Sequence, residues 1–122
     1  SIHIRRTDYV KLSDFHTNQP LEYYEKGMDE FKNYRPVVFS DDIEWCKDNL
    51  SFLDKDTVYM DNDEYTDLCL MSWCNGHIIA NSSFSWWGAY LGGGKTVAPK
   101  NWFGPKGPKN WQDIYCKEWR IL

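Results

Sequence analysis

Five short apolar runs punctuate this chain, and the first four each give way to a helical pattern. That alternation limits the fold more than any other feature. The runs are Ile2 to Arg5, Pro36 to Phe39, Thr57 to Met60, His77 to Ala80 and Lys95 to Ala98. They lack the polar alternation of a half-exposed strand, so each is expected to be covered on both faces. Between them, Pro20 takes a first helical position ahead of Leu21, Tyr24, Met28 and Phe31, which recur at helical spacing. Ser40 or Asp41 caps a helix from Ile43 to Asn49, a third helix runs from Glu64 to about Asn75, and a fourth from Phe84 to Leu91 is stopped by three glycines. Repeated strand and helix of this kind predict an α/β fold, a parallel sheet with helices on both faces. Lys11 to Gln19 reads as a polar loop, Pro99 to Asn110 as a surface loop, and Trp111 to Leu122 as a closing helix and tail.

A chain of 122 residues has room for one compact domain spanning residues 1–122. The net charge of −4 argues against a general nucleic-acid or anionic-membrane binder. No apolar run reaches the roughly 18 residues needed to cross a bilayer. The opening Ser1-Ile2-His3-Ile4 lacks a start methionine and lies inside a strand-like run, so the chain reads as a piece of something longer. Cys46, Cys69, Cys74 and Cys116 show no metal-ligand spacing, and Cys69 and Cys74 read as small buried hydrophobes. Reduced thiols imply a cytoplasmic location, or the cytoplasmic face of a membrane.

Ligands of parallel sheets bind at the carboxyl ends of the strands. Polar clusters fall there: Arg5-Arg6, Ser40-Asp41-Asp42, Asp61-Asn62-Asp63 and Asn81-Ser82-Ser83. Arg5 and Arg6 aim fixed positive charge at one point, which suits a phosphate, although an ion pair with Asp8 is the simpler use. Asn81, Ser82 and Ser83 sit where a strand turns into a helix, a place that offers free amides to an anion and equally an ordinary cap. Asp67 can stabilise a helix start or accept two hydrogen bonds from a guanine edge. Asp61 and Asp63 form a D-x-D pattern that could hold a divalent metal or cap a helix. His3 is a core histidine or a ligand group sharing the face of Arg5 by strand parity. Trp86 and Trp87 read as core packing rather than a sugar platform.

These residues resemble the α-1,2-fucosyltransferases of glycosyltransferase family 11, in the bacterial-type form. The matching segments are His3 to Asp8, Val38 to Cys46, Asp67 to Leu91, with the long run Ile78 to Ala89 inside it, and Val97 to Phe103. The resemblance implies inverting, metal-independent transfer of L-fucose from GDP-fucose to the 2-hydroxyl of a terminal galactose-type acceptor, with no cofactor. It implies a Rossmann-like domain, the carboxyl-terminal, donor-binding half of a GT-B-type two-domain enzyme, whose amino-terminal acceptor-side domain is a missing partner. Arg5 would hold the β-phosphate, Arg6 and Asp8 would shape its site, and His3 and Asp67 would meet the guanine. Ser82 and Ser83 would meet the pyrophosphate, with Asn81, Ser40 and Asp41 completing the donor set. Thr7 stands where the family more often has glycine, and a glycine-rich Gly-Gly-Leu-Gly-Asn-Gln segment is not found. Asp14 and His16 are the nearest candidates for a catalytic base, which is dispensable if a fucosyl cation forms first. Two other readings stay open: a non-catalytic guanine-nucleotide module, and a metal-dependent transferase using Asp61 and Asp63.

Overall fold

The computed structural model describes residues 1–122. Six parallel strands form one sheet: β1 (Ile2–Ile4), β2 (Val37–Ser40), β3 (Val58–Met60), β4 (Gly76–Ile78), β5 (Lys95–Ala98) and β6 (Arg120–Ile121). Their order is β3-β2-β1-β4-β5-β6. Consecutive strands thus run outward from β1 and then, after a reversal, outward from β4, the order of a doubly wound Rossmann sheet. The helices are α1 (Thr7–Lys11), α2 (Leu21–Asp29), α3 (Ile43–Asn49), α4 (Glu64–Ser72) and α5 (Ser83–Gly92).

Strand parity decides what each face carries. Ile2, Ile4, Val38 and Ile78 pack with Tyr24 of α2 and with Ile43 and Cys46 of α3 in the larger core. His3 and Phe39 are register partners, and their side chains turn to the opposite face. There α4 and α5 lie together, with Met71 of α4 so close to Gly88 of α5 that a β-carbon at Gly88 would collide with its sulfur. Ile79, Ala89, Ala98 and Trp102 form a second, smaller core beside α5. Gly94 closes the α5–β5 turn at φ +79°, and its missing side chain leaves room for the Asn75 carbonyl.

Four expectations are corrected. First, β1 ends at Ile4, so both arginines lie beyond it. Second, a short helix that the sequence reading did not assign, Thr7–Lys11, takes the first residue of the expected Lys11–Gln19 loop, and the Asp41 carboxylate, from the end of β2, starts it by accepting the amides of Arg6 (2.9 Å) and Thr7 (3.0 Å) and the Thr7 hydroxyl. Third, the closing helix is absent. Trp111, Ile114, Tyr115 and Trp119 pack beside α5 from an irregular segment with one 3₁₀ turn, Gln112–Ile114. The chain end then adds β6 to β5, with Leu122 N–H donating to Ala98 O at 3.0 Å, which covers an otherwise open edge. Fourth, Cys69 is exposed on the outer surface of α4, and Cys74, just past the end of that helix, is half-buried with its Sγ donating to Leu70 O; Cys46 alone is fully buried. No helix is long and apolar enough to cross a membrane.

Candidate functional site

β1 and β4 share a single register pair, Ile2 with Ile78, and the chain reverses its winding between them. A crevice at the carboxyl end of such a junction is where an open α/β sheet takes its ligand. A cleft of about 340 Å³ lies beside it on the α4–α5 face, lined by His3, Arg5, Phe39, Ser40, Asp41, Asn62, Glu64, Asp67 and Phe84. Five residues singled out from sequence, His3, Arg5, Ser40, Asp41 and Asp67, therefore meet in one place. A more apolar hollow of about 320 Å³ lies elsewhere, around Ser1, Phe31 and Trp73, at the amino-terminal edge of the strands. It holds none of these groups.

Arg5 is fixed before any ligand arrives. Its Nε and Nη2 donate to the two Asp8 oxygens at 3.0 Å each, and Asp41 Oδ2 lies 3.5 Å from Nε. This bond holds the Asp8 carboxyl below its ordinary range. The fork leaves both Nη1 protons and the remaining Nη2 proton for an anion. Tyr9 also lies beside the guanidinium, 5.8 Å from its ring centre, and its hydroxyl donates to the Asn81 carbonyl across the junction. Ser40 holds the rim together: its hydroxyl donates to the Ile4 carbonyl at 2.7 Å and accepts the Asp42 amide.

Arg6 is elsewhere, a correction to the idea of paired guanidinium groups. It stacks on Trp45 at 3.6 Å, with Nε 3.7 Å from Asp42 and otherwise unpartnered. Successive residues leaving a strand diverge, so Arg6 braces β2 and α3 from behind while Arg5 faces the cleft.

The rest of the cleft lining includes acceptors and a neutral ring. Asp67, in the first turn of α4, is buried, and its Oδ1 accepts from Asn62 Nδ2 at 2.9 Å. Glu64 stands beside it. His3 is buried against Phe84, ring centres 5.1 Å apart, and its Nδ1 has no partner in the protein. Burial pushes the His3 pKa down to about 3, and likewise that of His77, a structural residue bonded to Ser1 Oγ, to about 4.

Both rings are thus neutral when folded and titrate near 6.5 when unfolded. The unfolded chain binds more protons below about pH 6.5, so folding stability is complete above pH 7 and falls as the solution is acidified toward pH 4. The slope approaches about 1.4 kcal/mol per pH unit for each histidine. Urea unfolding at pH 7.5 and pH 5 is expected to show a lower midpoint in acid; equal midpoints would mean that solvent reaches both rings.

The remaining sequence candidates fall outside the cleft. Asn81 is a brace: its Nδ2 donates to Trp102 O at 2.7 Å and its Oδ1 accepts from Gln19. Ser82 precedes α5 without a capping side-chain bond, and Ser83 opens on a second cleft; only their neighbour Phe84 reaches the first. Asp14 pairs with Lys106 at 2.6 Å and His16 stacks on Tyr9 at 4.2 Å, so both tie down the loop after α1. Asp63 caps α4, accepting the amides of Tyr65 and Thr66 and the Thr66 hydroxyl. No group of three His, Cys, Asp or Glu side chains is arranged around a point where a metal could sit. Glu64, Phe39 and Phe84 were missed. Asn62 was read within the polar cluster after the third strand but given no role of its own, and Phe39, the register partner of His3, carried no signal beyond its place in an apolar strand.

The O-antigen biosynthesis glycosyltransferase WbnK of Escherichia coli is 39% identical over 118 residues, which cover 84% of this chain and 38% of the relative. An alpha-1,2-colitosyltransferase of Escherichia coli is 44% identical over 117 residues, 84% of this chain and 40% of the relative. The human galactoside alpha-(1,2)-fucosyltransferase 1 is 33% identical over 107 residues, 79% and 29% respectively. The chain therefore matches about two fifths of the length of its bacterial relatives. No solved structure gives a significant match. The model of glycosyl transferase family 11 matches residues 1–122, and the chain belongs to that family.

Proposed function

We propose that the cleft holds the guanosine diphosphate of GDP-fucose, and that this chain is the donor-binding, carboxyl-terminal half of a galactoside 2-alpha-L-fucosyltransferase. The observation that carries the reading is the make-up of the cleft: a preorganised cation, a buried carboxylate and a neutral imidazole line the same hollow. Phosphate oxygens suit Arg5. A base edge made of two adjacent donors, N1–H and the exocyclic amine of guanine, suits the carboxylate of Asp67. The unpartnered His3 Nδ1 offers one more polar contact. As the glycosidic bond breaks, negative charge grows on the β-phosphate, and an arginine already locked by Asp8 meets it without reorganising. Loss of GDP with inversion at fucose, metal-independent, then delivers the sugar to the 2-hydroxyl of a galactose-type acceptor. The rest of the enzyme supplies the acceptor side.

Calorimetric titration of the chain with GDP and ADP, with and without a chelator, tests the reading. GDP is expected to bind roughly 10²-fold more tightly than ADP, with no effect of chelator. Loss of binding on chelation returns Asp61 and Asp63 to consideration as metal ligands. No binding of either nucleotide overturns the reading.

A further inference from the structure

A second cleft, of about 260 Å³, opens on the other flank of α5 and is lined by Ser83, Trp86, Trp87, Trp102 and Ile114. Ser83, Trp86 and Trp87 are spaced i, i+3, i+4 and share one side of the helix, while Phe84, turned by about 100°, lines the Arg5 cleft. The two clefts therefore flank the first turn of α5, where free amides favour an anion. The indoles are held in place. Trp86 donates its Nε1–H to Ile114 O at 2.7 Å and stacks on Tyr90 at 5.0 Å. Trp87 meets Trp86 edge-on at 4.9 Å and remains 50% exposed. The wall is almost wholly apolar, with the exposed Ser83 as its polar edge.

The nucleotide occupies the first cleft in the reading above, which leaves its sugar without a seat. L-Fucose is 6-deoxy-L-galactose, and its distinguishing group is a methyl that cannot form a hydrogen bond. We propose that the tryptophan cleft receives the methyl-bearing face of the donor's 6-deoxyhexose and selects it over the 6-hydroxy sugar. This rests on the donor reading of the Arg5 cleft. C–H groups of the ring and the methyl lie against Trp87 and Ile114, and Ser83 is placed to meet a ring hydroxyl. A sugar with a 6-hydroxyl must bury that group against indole with no partner, which an apolar wall penalises by up to about 10²-fold.

The test is titration of the chain with GDP, GDP-L-fucose and GDP-L-galactose, for the wild type, Trp87→Ala and Ile114→Ser. Trp87 is half exposed, so its removal leaves the core of Trp86 and Trp102 in place, and unchanged GDP affinity reports an intact nucleotide cleft. The wild type is expected to prefer GDP-L-fucose to GDP-L-galactose by roughly 10- to 10²-fold, and both variants to lose most of that preference while binding GDP as before. A wild type that does not discriminate, or variants that discriminate as well as it does, overturns the assignment and leaves the cleft to another part of the enzyme or to the acceptor. GDP binding lost in Trp87→Ala also overturns it, by placing the nucleotide itself there. Failure of the wild type to bind GDP overturns the donor reading, and this one with it.

Discussion

Arg5→Ala is expected to lower fucosyl transfer by the complete enzyme roughly 10²- to 10³-fold while leaving the fold intact. Arg5 lies past the end of β1 with its side chain 34% exposed, and the core beneath it is made by Ile2 and Ile4, not by Arg5 itself. The electrostatic consequence is larger than the loss of one cation. Asp8 and Asp41 both approach the guanidinium, so its removal leaves two carboxylates facing the proposed diphosphate site. A site that attracted phosphate then repels it. Arg5→Lys is expected to recover little, because an ammonium cannot bond both Asp8 oxygens and still present a donor edge to the ligand. Thermal melts of the variant should stay within a few degrees of wild type, and kcat should fall more than donor KM rises. Wild-type turnover in Arg5→Ala would falsify the central role given to this residue.

The fold was legible where local pattern and tertiary structure agree. Five strands and four helices announced themselves because runs such as Val37–Ser40 are apolar on both faces and because helices such as Glu64–Ser72 begin at a capping residue, Asp63. The features that were not legible depend on partners distant in sequence. Thr7–Lys11 is helical through a carboxylate 34 residues away. β6 exists because Ala98 offers an open edge, not because Arg120 and Ile121 favour a strand. Trp111 and Trp119 carry no periodic signal that separates a helix from an irregular segment packed beside α5.

The site divides along the same line. Parity along β1 placed His3 with Arg5 on one face, and the order of elements placed Asp67 near them. Parity also predicts that adjacent arginines part company, and the run Arg5-Arg6 was nonetheless read as a pair. Arg6 instead lies on Trp45. For Asn81, Asp14 and His16 the polar side chain was visible but its partner was not: Trp102, Lys106 and Tyr9 take up the group that was offered to a ligand or an acceptor.

Asp67→Asn tests the carboxylate of the cleft and is expected to reduce the preference for GDP over ADP by roughly 10²-fold. The substitution is nearly isosteric, and Asn62 Nδ2 already donates to one oxygen at 2.9 Å. With Asn62 oriented as it is, the new carboxamide keeps its oxygen toward it, since the reverse orientation sets two donors against each other. Its amino group then faces the cleft, where guanine presents N1–H and the exocyclic amine. Donor meets donor, and a buried pair is left unsatisfied. Adenine, with an acceptor at N1, gains the contact that guanine loses. The charge removed from the first turn of α4 costs the fold about 0.3–1 kcal/mol, a change separable from binding by unfolding curves. The two residues give distinct signatures, because Arg5→Ala weakens GDP and ADP alike, whereas Asp67→Asn moves their ratio. Dissociation constants for both nucleotides, measured for both variants at one salt concentration, distinguish these outcomes. An unchanged ratio in Asp67→Asn takes the base away from Asp67, while Arg5 keeps the phosphates.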